Sequence, residues 1–168
     1  MKMKADYGYT NVERHQRKGY VPPNLATDAI IKFRNGNGEG IVLITRKNAP
    51  FGLALPGGFA EHGLSLEDNI RKEVKEETNL EFQLDHPEHP ICVHSNPGRD
   101  PRAHVIAVTY SGTGHGYLQS GDDAKTAFIV PYEELPSLLG RKKFAFHDHE
   151  RAIQEFLINE GYIKQITI

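Results

Sequence analysis

The stretch from Gly57 to Leu80, GGFAEHGLSLEDNIRKEVKEETNL, constrains this chain more than any other. Ser65 followed three residues later by Asp68 is a capping signature, and Asn79 suits the left-handed residue that closes a helix. The pattern predicts a helix over 65–78. At about 100° per residue, with Glu73 set at zero, Glu77 falls near +40° and Glu76 near −60°. By the same arithmetic Leu66, Ile70 and Val74 form a stripe from about +20° to about +100°. Arg71, Lys72 and Lys75 take the far side. A solvated acidic face normally lies opposite the apolar stripe. Here the carboxylates border it, where like charges repel and lose hydration. Something cationic must compensate them. Lys72 does so in part as an i,i+4 partner of Glu76. Three converging carboxylates also suit Mg²⁺ or Mn²⁺, hard ions that take oxygen donors.

The rest of the chain fits one domain around this helix. Its 168 residues lie close to the usual domain size of about 100–150. A single cysteine, Cys92, excludes an internal disulfide, and its strand setting suggests a small buried hydrophobe. Twenty basic against 22 acidic residues give a formal charge of −2, so no overall basic field recruits nucleic acid. No apolar run approaches the roughly 20 residues of a membrane span, and no apolar stretch follows the N-terminal lysines. A cytoplasmic protein is expected. Residues 1–22 read as an N-terminal arm and 23–168 as the folded domain.

Strands are predicted at Thr27–Phe33, Gly40–Arg46, Ile91–Ser95, His104–Tyr110 and Ala127–Val130. His104–Tyr110 has the β-branched and aromatic content of a strand buried on both faces. The glycines of Arg34-Asn35-Gly36-Asn37-Gly38-Glu39 mimic a phosphate loop, but a strand follows where that loop needs a helix, so a hairpin turn is expected. A second helix is predicted from Asp148 to Asn159, and a helical turn after Pro131. This irregular alternation indicates α/β or α+β architecture with a mixed sheet.

The acidic segment resembles the Nudix box, G-x5-E-x7-R-E-U-x-E-E-x-G-U, with U aliphatic. Gly58, Glu73, Val74, Glu76, Glu77 and Leu80 match; Leu64, Lys72 and Asn79 stand where the motif has Glu, Arg and Gly. Segments 23–28, 95–102, 121–124 and 148–149 are similar to the ADP-ribose pyrophosphatase-like branch. So is Pro97, which follows the box after sixteen intervening residues. The resemblance implies an α/β/α sandwich around a central mixed sheet, and Mg²⁺-dependent (or Mn²⁺-dependent) hydrolysis of ADP-ribose or another nucleoside diphosphate-linked small molecule. It implies metal ligation by Glu76, Glu77, Glu73 and the Gly57 carbonyl. Asp122 or Asp123 would supply a further acid from a later loop, and a homodimer is common among such enzymes.

Arg99 and Arg102 suit bidentate phosphate contacts, with a solvated loop held by Asp100 as the competing reading. Tyr20, Phe51 and Phe59 can stack on adenine or simply pack. His147-Asp148-His149 reads as a helix cap with solvated imidazoles. Loss of an acid at Leu64 and of a planar fork at Lys72 predicts slowed hydrolysis. Two alternatives stay open: a nucleotide-sensing module without turnover, and a hydrolase that sanitises nucleoside triphosphates.

Overall fold

The computed structural model describes residues 19, 21–36, 38–121, 124–141 and 143–163. The expected arm over 1–22 falls almost wholly outside them, as do Tyr20, Asp122 and Asp123. In chain order the elements are β1 (Asn24–Asn35), β2 (Gly38–Arg46), β3 (Leu53–Ala54), β4 (Gly57–Phe59), α1 (Leu66–Thr78), β5 (Glu81–Leu84), β6 (Cys92–His94), β7 (Val105–His115), β8 (Ala124–Pro131), α2 (Leu135–Leu138) and α3 (His147–Asn159).

Residues 34–39 do turn a hairpin, with Asn35 opposite Gly38 where β1 meets β2. β1 is the centre of the sheet. It runs antiparallel to β2 and β4 and parallel to β7, over a register from Asn24↔Val105 to Lys32↔Thr113. β8 extends the sheet beyond β2, and both β5 and β6 pair antiparallel with β7. One parallel pair among antiparallel ones makes the sheet mixed, as expected.

Alternation along β1 and β2 divides the core into two layers. Ala29, Ile31, Phe33 and Val42 pack with Ile70 and Val74 of α1, whereas Ile30, Ile41 and Leu43 pack with Ile153, Phe156 and Leu157 of α3. The period-two geometry of strands sends alternate side chains to opposite faces, so a sheet with both faces apolar must be covered twice. Each such aliphatic side chain contributes about 1.5–3 kcal/mol when fully buried. The outcome is a helix–sheet–helix sandwich, with α1 and α3 on opposite sides.

Most strands run longer than the sequence indicated, β1 starting at Asn24 and β7 continuing to His115, whereas β6 is shorter than the expected Ile91–Ser95 and covers only Cys92–His94. β5 was not anticipated. Its four residues follow the helix cap after one intervening residue, and only two of them, Phe82 and Leu84, are apolar.

Candidate active site

Helix α1 starts and stops where its sequence requires. Ser65 Oγ accepts the Asp68 N–H at 3.1 Å. Asn79 closes the helix at φ 60°, its N–H donating to the Lys75 carbonyl. Asn69, fully buried, fixes the helix to its surroundings: its amide nitrogen donates to Thr27 Oγ1 at 2.9 Å on β1. Its Oδ1 accepts the Glu61 N–H at 2.9 Å, which pins the loop before the helix.

Burial of the three carboxylates follows their angle from the apolar stripe. Glu77 is buried, Glu73 is half-buried and Glu76 is exposed. Glu77 Oε2 accepts the Gly57 N–H at 2.8 Å. Gly57 can lie there because it has no side chain: a Cβ would stand 2.2 Å from the Thr27 carbonyl oxygen on β1. At Gly58 a Cβ would stand 2.5 Å from the Glu73 carboxylate, so that group rests directly on the backbone. Glu61, Glu73 and Glu77 together line a cleft of about 430 Å³, with Arg46, Phe59 and Arg102 also on its walls.

Glu76 is turned elsewhere. Lys72 Nζ donates to its carboxylate at 3.0 Å and to Glu61 Oε1 at 2.7 Å. The hydrogen bonds from Glu61 and then Glu76 hold the Lys72 ammonium well above the ordinary lysine range, against a smaller opposing effect of burial. The pairing of Lys72 with Glu76 matches expectation; the second pairing, with Glu61, was not foreseen.

Gly121 packs onto the last turn of α1, its N–H donating to the Glu77 carbonyl at 2.9 Å. A Cβ there would lie 1.5 Å from the Glu76 carbonyl oxygen, so this approach requires glycine. The chain therefore passes the end of α1 at Gly121.

A smaller cavity of about 60 Å³ adjoins the acidic cleft, lined by Asp28, Arg46, Gly57, Phe59, Arg99, Asp100, Arg102, Phe146 and His149 among others. Three guanidinium groups surround the Phe146 ring, with Arg46, Arg99 and Arg102 at 5.2, 5.7 and 5.3 Å from its centroid. Such cation–π contacts hold planar cations in place without neutralising them.

Arg102 lies 5.0 Å over Phe59 as well and grips Asp100 through Nε and Nη2 at 3.0 and 2.8 Å. Burial alone would raise the Asp100 pKa. The side-chain and backbone hydrogen bonds from Arg102, with its positive charge, outweigh burial and hold it below the usual carboxylate value. Arg99 is itself buried and turns Nε to Asp148 Oδ2 at 2.6 Å. Phe51 is 70% exposed and is not among the residues that line either cavity.

The helix-cap reading of His147-Asp148-His149 is overturned for two of the three residues. The residue at the cap position is Phe146, and Asp148 and His149 are buried. Docking of the α3 start onto β1 and the 96–102 loop encloses them. Leu55 N–H donates to His149 Nδ1 at 2.9 Å, so the ring proton sits on Nε2, which faces Asp28 Oδ1 at 3.4 Å. His147 remains exposed.

Arg46, Asp28, His149 and Glu61 are site residues that the sequence reading missed. Asp28, a carboxylate at the head of the apolar run Ala29-Ile30-Ile31, carried the clearest available signal. Cys92 packs at the edge of the α3-side core but is half-buried, less enclosed than expected; desolvation, opposed by a hydrogen bond with Thr109, pushes its thiol up to about 12, which disfavours the thiolate.

The donors around the acidic cleft are all oxygens, and Glu73 and Glu77 are fixed against the backbone, which suits a hard divalent cation in kind. Among the described residues, no three acidic, histidine or cysteine side chains already stand together as a closed ligand set. Glu76, engaged by Lys72, is the carboxylate turned away. No helix among the described residues is long and apolar enough to cross a membrane.

A mixed sheet between two helices, with a glycine-led loop running into an acid-bearing helix, defines a class. The NUDIX domain family matches residues 23–156, and the chain belongs to that family, whose hydrolases work with divalent metal ions. It is 40% identical over 141 residues to the ADP-ribose pyrophosphatase of Methanocaldococcus jannaschii, covering 82% of this chain and 75% of that protein.

The NUDIX domain of Shewanella oneidensis NrtR, solved with ADP ribose, superposes with a TM-score of 0.70 at 19% identity, over 93% of this chain and 99% of that one. A bifunctional NMN adenylyltransferase/ADP ribose pyrophosphatase from Francisella tularensis, solved with AMP and a manganese ion, gives 0.61 at 23% identity, over 90% and 47%. At those identities the two structures speak to the fold.

Proposed function

We propose that this protein hydrolyses the diphosphate of ADP-ribose, or of a closely related nucleoside diphosphate derivative, with Mg²⁺ or Mn²⁺ as its cofactor. One observation carries the reading: Glu73 and Glu77, seated on Gly58 and Gly57, face Arg46 and Arg102 across a single cleft. A diphosphate repels bare carboxylates and attracts guanidinium groups. A cleft with acid on one wall and base on the other therefore suits an anion that arrives with a cation.

Glu73, Glu76, Glu77 and the Gly57 carbonyl would hold the ion, with Asp122 or Asp123 as the additional acid. When bound, such an ion polarises a phosphoryl oxygen and lowers the pKa of an attacking water. Arg102 and Arg46 orient the diphosphate, with Arg99 supporting that wall, and the exposed ring of Phe59 offers a face to the adenine. Water adds to one phosphorus, the bridging P–O bond breaks, and AMP and ribose 5-phosphate leave. The enzyme would act in the cytoplasm, as a homodimer with the 1–22 arm outside the 23–168 domain.

A sensing module without turnover is the second reading. It is favoured by Lys72 holding Glu76 out of the cleft. Incubation with ADP-ribose and Mg²⁺, followed by AMP release, separates the two, and a nucleoside triphosphate panel tests the sanitising alternative. Glu77→Gln is expected to lower the rate at least about 100-fold. An unchanged rate overturns the site assignment, and tight binding without product favours the sensor.

A further inference from the structure

Leu64 stands where the box has an acid, and the structure shows another residue of the same loop facing the site. Leu64 is 41% exposed and does not line the acidic cleft, whereas Glu61 does. The Glu61 backbone is fixed by Asn69, and its carboxylate lies 2.7 Å from Lys72 Nζ. Lys72 is thus shared between Glu61, from the loop, and Glu76, from the helix.

We infer that Glu61 is a positioning residue of the metal site, retaining Lys72 so that Glu76 can turn to a cation. The inference rests on the hydrolase reading above and deepens it. Lys72 and a divalent cation compete for the same carboxylate. With Glu61 present, Lys72 keeps an anionic partner when Glu76 leaves it. With Glu61 neutral, Glu76 becomes the one carboxylate hydrogen-bonded to Lys72, and the ammonium holds it against the ion. Glu61 and Glu76 are each about half exposed in this chain of contacts. Exposed ion pairs add little to folding stability, so the arrangement's effect falls on metal affinity.

This makes a different claim from restoring the missing acid. If Leu64 were the defect, Leu64→Glu would strengthen the site; if Glu61 already supplies the needed carboxylate, it would not.

The test is Mn²⁺ binding to the full chain, followed by electron paramagnetic resonance without substrate, with thermal unfolding and ADP-ribose turnover run in parallel. Glu61→Gln is expected to raise the Mn²⁺ dissociation constant about tenfold, the scale of groups that orient metal ligands. Its unfolding midpoint should stay unchanged. Replacing the competitor as well, in Glu61→Gln/Lys72→Gln, should return the affinity to within about threefold of wild type, a non-additivity that marks direct coupling. Leu64→Glu should change affinity less than about twofold.

Unchanged Mn²⁺ affinity in Glu61→Gln, failure of the double variant to recover, or a tenfold gain from Leu64→Glu would each overturn the inference. If turnover still depends on Glu77 in any of those cases, the hydrolase reading survives. Wild-type protein that binds no Mn²⁺ overturns both.

Discussion

The two walls of the cleft are built in opposite ways. The acid wall comes from one helix and the loop before it, with carboxylates spaced by helical geometry and only one of them, Glu77, fully buried. The basic wall, which continues into the smaller adjoining cavity, is assembled from three separated segments: Arg46 ends β2, Arg99 and Arg102 come from a loop, and Phe146 and His149 sit at the start of α3. Its charges are satisfied internally, Arg99 by Asp148 and Arg102 by Asp100. The acid wall seats its carboxylates along one stretch of chain, Glu77 on the Gly57 N–H and Glu61 and Glu76 on Lys72; the basic wall uses charge to tie separate segments together. Substitutions of the acid-wall carboxylates should alter chemistry with little effect on folding, whereas loss of the buried partners Asp148 and Asp100 behind the basic wall should weaken folding first.

The largest effect expected is at Asp148. Its partner Arg99 is 6% exposed, so Asp148→Ala leaves a buried guanidinium without its carboxylate. Breaking a buried pair from one side costs about 3–5 kcal/mol. Denaturant unfolding should show the loss. A cost below about 1 kcal/mol would mean that the basic wall is no more cooperative than a surface pair, and the contrast between the walls would fail.

On the acid wall, Gly58→Ala is the matching probe. The new Cβ would meet the Glu73 carboxylate at 2.5 Å, the far end of a flexible side chain that can swing away. Stability should hold within about 0.5 kcal/mol, as for substitutions that leave the core alone. ADP-ribose turnover should fall about 10- to 100-fold, because Glu73 loses its seat. A protein that unfolds instead, or that turns over at the wild-type rate, breaks the comparison.

The same contrast explains what the sequence disclosed. The acid wall is local. A period of 3.6 residues is enough to order Glu77, Glu73 and Glu76 by burial, and Ser65 and Asn79 mark both ends of the helix that carries them. The two amphipathic helices and the central strands follow from the same kind of short-range pattern.

Long-range pairing is what the sequence leaves out. His149 faces Asp28 across 121 positions of chain, and nothing in the spacing of either indicates the other. His147-Asp148-His149 was misread for this reason: locally it has the composition of a solvated helix start, and only docking onto β1 encloses it. Arg46 was hidden as the polar end of a strand. Glu61 was overlooked because the motif directs attention to position 64.

A smaller effect tests how local the acid wall is. Ser65→Ala removes the acceptor for the Asp68 N–H. A lost N-cap costs about 1 kcal/mol. That loss should appear in thermal unfolding with Mn²⁺ affinity intact, since Asn69 and the Gly57–Glu77 contact fix the carboxylates independently. A matching loss of metal affinity would show that the helix start, rather than those contacts, sets the geometry.

The smallest effect belongs to Asp100 and is read through pH. Its folded-state pKa is depressed, so the stability it adds is complete above its unfolded value, about 4, and fades as pH falls through the lower folded value. Asp100 is buried, but Arg102 is 40% exposed, and solvent screening limits the contribution to about 1 kcal/mol. Asp100→Asn should therefore flatten part of the acid limb of stability below about pH 4, while Asp68→Asn, on an exposed helix pair, should leave that limb in place. Equal effects from the two would mean that enclosure of the Asp100 carboxylate adds nothing to its hold on Arg102. The basic wall would then be a set of surface pairs, no more self-supporting than the acid wall it faces.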